Sequence, residues 1–143
     1  MIASSVINST DARREWSSVV DSVLREKPKF IKRTRDYMFL SDLPILESLL
    51  QAYELSAVRL LEDDGSVTLS LDQLDLIENA PTEQDALNCL ASAILEYAEE
   101  YYSDFAYWSR GDRKSHIPYV LKALILNDTQ KIGGLIECRH GGI

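Results

Sequence analysis

Long apolar runs are missing from this 143-residue chain. No stretch approaches the roughly 20 apolar residues that cross a bilayer, so no membrane partner is expected. The opening MIASSVINST has neither a basic segment nor a long apolar one. No signal peptide is therefore expected, and the cytoplasm is the expected compartment. Cysteine is scarce: Cys89 and Cys138 stand alone without metal-type spacing, which excludes a disulfide framework and reads as two reduced thiols. Histidine is scarcer in useful positions. His116, Cys138 and His140 are the only zinc-ligand set worth weighing, the last two lie near the chain end, and no fourth ligand is evident. There is no Gly-rich phosphate loop, no Ser-His-Asp order and no Cys-x-x-Cys pair. No metal or cofactor is expected.

What is present is a packed globular composition, 45% hydrophobic, with a net charge of −8 that is unevenly spread. Residues 1–35 hold eight basic residues against four acidic ones, a net of +4, and the remainder holds seven against nineteen, a net of −12. A basic start on an acidic body points to a polyanion at one end and a cationic partner at the other. A dipolar surface with no partner is the plain alternative.

Local patterns divide the chain in two. ASSVIN, residues 3–8, is a short strand, and Ser9 or Thr10 caps a helix that runs through Arg25. Ala12, Trp16, Val19, Val20, Val23 and Leu24 recur at helical spacing along it. Pro28 ends it, because a residue before proline disfavours the helical region. KFIKRTRDYMFLS then predicts a hairpin with its turn near Thr34–Asp36, and Ser41 or Asp42 opens a second helix with Leu43 and Pro44 in its first turn. This β-α-β-β-α unit of about 55 residues is too small to build a generous core alone, and pairing with a second copy would complete it.

The second unit opens with a hairpin around Asp64-Gly65, with Val58 and Leu60 on one arm and Val67, Leu69 and Leu71 on the other. Thr82 caps a long helix whose apolar face is Ala86, Leu87, Leu90, Ala91, Ile94, Tyr97, Ala98 and Tyr101. A loop SRGDRKSH leads to a further helix, IPYVLKALILN. Leu135, Ile136 and Cys138 form a short strand candidate before a flexible tail.

The stretch STDARREWSSVVDSVLREKPKFIKRTRDYMFLS resembles the N-terminal domain of Phd/YefM-type antitoxins of bacterial toxin–antitoxin operons. Ala12-Arg13 matches that family's capped pair, Ile31-Lys32-Arg33 its basic strand end, and Phe39-Leu40-Ser41 its strand exit. The likeness covers roughly residues 3–53 and departs at the hairpin turn, where Thr34-Arg35-Asp36 replaces a glycine pair such as Asn-Gly. It implies dimerisation through this domain and binding to operator DNA. A second, weaker likeness covers EDDGSVTLSLDQLDLIENAPTEQDALNCLASAILEYAEEY, which is similar to the hairpin–helix core of HicB-type antitoxins, with Thr82 and Ala86 at matching positions. Such cores are related to the RNase H fold, generally lack catalysis and engage a toxin. The usual Pro-Gly-Cys exit is absent.

The expected architecture is thus α+β. A Phd/YefM-like DNA-binding and dimerisation module at residues 1–55 precedes an acidic α+β module at 56–143, with a HicB-like core at 58–105. Phosphates favour Lys and Arg, and a helix N-terminus adds N–H donors. Placing Arg13 and Arg14 in the first helical turn therefore makes them DNA candidates, with Thr10 beside them. Lys32, Arg33 and Arg35 would line the same surface from the hairpin. The alternative for Arg13 and Arg14 is pairing with neighbouring carboxylates. Trp16, Tyr37 and Phe39 are expected in the core or dimer interface. Glu96, Glu99, Glu100 and Asp104, on the polar side of the long helix, form a candidate patch for a small basic protein toxin; a solvated helix face is the alternative. A two-metal nuclease built on Glu62, Asp63, Asp64, Asp72 and Asp75 is disfavoured, since Asp63-Asp64-Gly65 is what a turn requires in any case. The resulting expectation is a non-enzymatic antitoxin that covers its toxin and represses its own operon. A regulator unconnected to any toxin and a decayed RNase H-like nuclease are the competing readings.

Overall fold

In the computed structural model the chain forms two compact units, Met1–Leu49 and Leu50–Ile143, each with its own sheet. Residues 6–141 are described, so residues 3–5 of the expected first strand and the last two residues of the expected tail lie outside them.

In the first unit, β1 (Val6–Asn8) lies parallel to β2 (Lys29–Arg33), which is antiparallel to β3 (Asp36–Leu40). Helices α1 (Ser9–Arg14) and α2 (Trp16–Arg25) connect β1 to β2, and α3 (Leu43–Leu50) follows β3. The cap of α1 is neither Ser9 nor Thr10 but Asn8, whose Oδ1 accepts from the Thr10 amide at 2.8 Å. The expected single helix is broken at Glu15 (φ −110°, ψ 34°), so Arg13 and Arg14 belong to the last turn of α1 rather than to a first turn. Asp42 Oδ1 caps α3 through the Ile45 amide. The core is small: Ala12, Val19, Val23 and Ile31, with Ile7 and Leu40 against them.

Trp16, Tyr37 and Phe39 are each about half exposed, at 50%, 49% and 48%, and Leu24 at 61% also misses the core. The reason is scale. Three short strands under two helices close over small β-branched side chains but cannot wrap large rings on their own.

The second unit is a four-stranded sheet in the order β6-β5-β4-β7, from β4 (Ser56–Leu61), β5 (Val67–Leu71), β6 (Leu76–Ala80) and β7 (Glu137–His140). The first three form an antiparallel meander and β7 returns parallel to β4. Helices α4 (Glu83–Ser103), α5 (Phe105–Trp108), α6 (Ile117–Leu126) and α7 (Thr129–Leu135) lie between β6 and β7 in the chain. The turn at Asp64-Gly65 forms as expected, with Gly65 at φ 87°, where a β-carbon would be strained. The alternation on β4 runs one residue out of the expected phase. Ala57 is fully buried opposite Leu71, whereas Leu60 is 47% exposed.

Three elements differ from the sequence reading. β6 is a third strand beyond the expected hairpin, Thr129–Leu135 is helical under an Asp128 cap, and the expected flexible tail is the strand β7 through His140. Only β7 depends on a partner remote in sequence, pairing parallel with β4; β6 closes a second hairpin with β5, and the Asp128 cap is local. Thr82 caps α4 as expected, its Oγ1 accepting from the Asp85 amide at 3.1 Å. Ala86, Leu90, Ala91, Ile94, Ala98 and Tyr101 form the buried stripe of α4, which packs on Leu69, Leu71, Val120 and Ile132. The mouth of α4 is tied to the sheet by Arg59, whose Nε lies 2.6 Å from Glu83 and whose Nη1 donates to His140 Nδ1 at 3.0 Å.

Candidate functional site

Strand alternation sorts the basic residues of the first unit. Ile31 faces the helices, so Arg33, two residues on, shares that side of the sheet with the buried Ile31. Lys32 points to the opposite face, where its Nζ stands 5.4 Å above the Tyr37 ring and Phe30 meets Phe39 at 5.1 Å between ring centres. The expected single surface of Lys32, Arg33 and Arg35 is therefore split by the pleat. Arg35 occupies the two-residue turn Thr34–Arg35 and is exposed.

On the helix side, Arg13 lines an open depression of about 370 Å³ together with Ser9, Ala12, Trp16, Ile31 and Met38. Arg13 makes no ion pair with any described residue. Arg14 does: its Nη2 donates to Asp11 Oδ1 at 2.8 Å, an exposed pair worth at most about 0.5 kcal/mol, which nonetheless holds the guanidinium along the helix. The carboxylate-paired alternative thus describes Arg14 and not Arg13. Thr10 is engaged through its backbone by the Asn8 cap.

In the second unit, Glu96, Glu99 and Glu100 are exposed on the same side of α4, at i, i+3 and i+4. Asp104 sits at the end of that helix, its carbonyl accepting from the Tyr107 and Trp108 amides as α5 begins. Sequence reasoning missed what lies next to them. Tyr97, Tyr101, Tyr102, Phe105, Tyr107 and Trp108 form a chain of edge-on ring contacts, and Arg113 lies 4.4 Å from the Trp108 ring centre and 5.2 Å from that of Tyr107. The available signal was density, since 97–108 carries half of the aromatic residues of the chain.

Beneath this cluster, His116 is buried at 5% exposure between Tyr97 and Asp75. Tyr97 Oη lies 2.6 Å from Nδ1, and Asp75 Oδ2 lies 3.6 Å from Nε2. A carboxylate beside Nε2 favours the proton there, so Nδ1 accepts from the tyrosine hydroxyl. Burial lowers the imidazole pKa below its ordinary value; Asp75 opposes that shift and Arg113 adds to it. Tyr101 donates to the Arg113 carbonyl at 2.6 Å.

The carboxylates weighed for metal chemistry point elsewhere. Asp64 closes its own turn by accepting from the Ser66 hydroxyl and amide, which lowers its pKa, and Asp75 faces His116. The zinc set also separates, with His116 against Tyr97 while Cys138 and His140 lie on β7. Among the described residues no group of three His, Cys, Asp or Glu side chains is placed to hold a metal ion.

The family model described as PHD-like, antitoxin of toxin–antitoxin, RelE/RelB, matches residues 1–138. The chain belongs to this antitoxin family. A solved structure from Syntrophomonas wolfei subsp. wolfei, described as an antitoxin part of a candidate toxin/antitoxin system, is 33% identical. It covers 95% of this chain and 99% of its own, with a TM-score of 0.88. No curated protein matches. The chain is therefore an antitoxin of α+β fold, and its family implies a toxin partner. Among the described residues no helix of this antitoxin is long and apolar enough to cross a membrane.

Proposed function

We propose that this antitoxin works by occlusion through two separate surfaces. A Phd/YefM-like first module, residues 1–55, pairs with a second copy and binds operator DNA, repressing its own operon. The observation that carries this reading is the placement of Arg13. It is an exposed guanidinium with no ion-pair partner among the described residues, on the same side of the small sheet as Arg33. Arg35 extends the basic edge, while Arg14 and Lys32 stand aside, one paired with Asp11 and the other over Tyr37. Dimerisation is supported by Trp16, Tyr37 and Phe39, half exposed in a unit whose β3 has a free edge within the described residues.

The acidic module, residues 56–143, covers a small basic protein toxin, with Glu96, Glu99, Glu100 and Asp104 as its charged contact. The acidic-Gly turn of the hairpin and the Thr82-capped long helix support the HicB-like reading of residues 58–105. No chemistry is required of the antitoxin in this scheme.

Fluorescence anisotropy with a labelled duplex from upstream of the gene, alongside a scrambled duplex, tests the DNA surface. Co-purification with the protein encoded by the adjoining gene tests the toxin surface. Sequence-preferring DNA binding without capture of that protein would favour a regulator unconnected to a toxin.

A further inference from the structure

Resting on that reading of the second unit, we propose that the aromatic end of α4, centred on the exposed ring of Tyr102, is the hot spot that seats a cationic side chain of the toxin. The argument starts from placement. Tyr102 is 62% exposed, yet the helix stripe beside it is closed by Ala98 and Tyr101, both fully buried. Nothing within the core requires a large ring at this outward position. Its carboxylate neighbour on the helix is Glu99, one turn earlier, with Asp104 two residues later.

The surface is also held rigid. Tyr102 contacts Phe105 edge-on at 6.4 Å between ring centres, and Phe105 in turn meets Tyr101 at 5.5 Å. Tyr101 is fixed by its hydrogen bond to the Arg113 carbonyl. A ring anchored in this way loses little freedom on binding, and Tyr, Trp and Arg are the residue types that dominate interface energetics.

Charge selects the occupant. The nearby basic residues Arg110, Arg113 and Lys114 all come from the segment Arg110–His116, and Arg113 already covers the Trp108 and Tyr107 rings. That side has supplied its own cation. The Tyr102 side carries Glu99, with Asp104 at the helix end and no basic residue on α4 at all, so it is complementary to an Arg or Lys head lying over an aromatic face beside a carboxylate.

The test uses the full chain and the protein encoded beside its gene, with affinity measured by calorimetry. Wild type, Tyr102→Ala, Tyr102→Phe and Tyr107→Ala are compared, each with its melting temperature and its operator affinity. Tyr102→Ala should weaken toxin binding about tenfold or more. Tyr102→Phe keeps the ring face and should stay within about threefold of wild type, whereas Tyr107→Ala, on the Arg113 side, should change little. Melting temperature and DNA affinity should not move. Wild-type affinity in Tyr102→Ala overturns the hot spot while leaving the toxin-binding reading intact. No binding by wild type overturns that reading, and the hot spot with it.

Discussion

Tyr97→Phe removes one oxygen atom and should show how the far end of the second unit is held. The hydroxyl reaches His116 Nδ1 at 2.6 Å, and the imidazole is 5% exposed, so water cannot readily replace it. Removing the donor leaves a buried acceptor unsatisfied, a loss of about 2 kcal/mol within the usual 1–3 range. For a unit of this size, each kcal/mol shifts the melting temperature by about 4–8 °C, so a fall of about 8–16 °C is expected. The variant is best made in a Trp16→Phe background, where the fluorescence of Trp108 reports the second unit alone. A fall smaller than ~2 °C would show that the contact contributes little and would refute the reasoning.

The same site fixes a pH dependence. The folded pKa of His116 lies below the unfolded value of about 6.5, so between the two the unfolded chain binds more protons. The contribution of His116 is therefore constant above about pH 6.5, and stability falls as pH drops from there toward the folded pKa. His116→Gln should remove that segment of the profile, whatever its effect at neutral pH.

Further outcomes concern backbone and charge. If the proposed two-fold dimer binds operator DNA through Arg13, Arg13→Ala would delete two phosphate contacts and should flatten the log–log salt slope by about 1.8, so that raising salt fourfold costs it about twelvefold less affinity than wild type. Arg14→Ala, already paired to Asp11, should change the slope by less than half as much, and equal slopes would contradict the assignment. Thr34 holds a left-handed backbone at φ 57°, unfavourable for a β-branched residue, so Thr34→Gly should stabilise the first unit by about 1 kcal/mol in urea titrations. Thr82→Ala removes the α4 cap and should cost the second unit about 1 kcal/mol by the same assay.

Period and punctuation along the chain determined a good deal of this protein. The spacing of Ala86, Leu90, Ile94 and Tyr101 defines α4 and its buried face, Thr82 its start, and Asp64-Gly65 the hairpin turn, because helix stripes, caps and positive-φ turns are local properties. The motif residues Ala12-Arg13 and Phe39-Leu40-Ser41 carry the likeness to antitoxins in the sequence itself. Tertiary structure alone decided the rest. Strands β6 and β7 exist because β5 and β4 offer them hydrogen-bonding edges, and β4 takes its phase from pairing Ala57 with Leu71. The break at Glu15 placed Arg13 and Arg14 at a helix end rather than a helix start, and the pleat separated Lys32 from Arg33. The aromatic run around Tyr102 became a surface only once α4, α5 and the turn before α6 met in space, since ring contacts and exposure depend on residues that sequence spacing does not join.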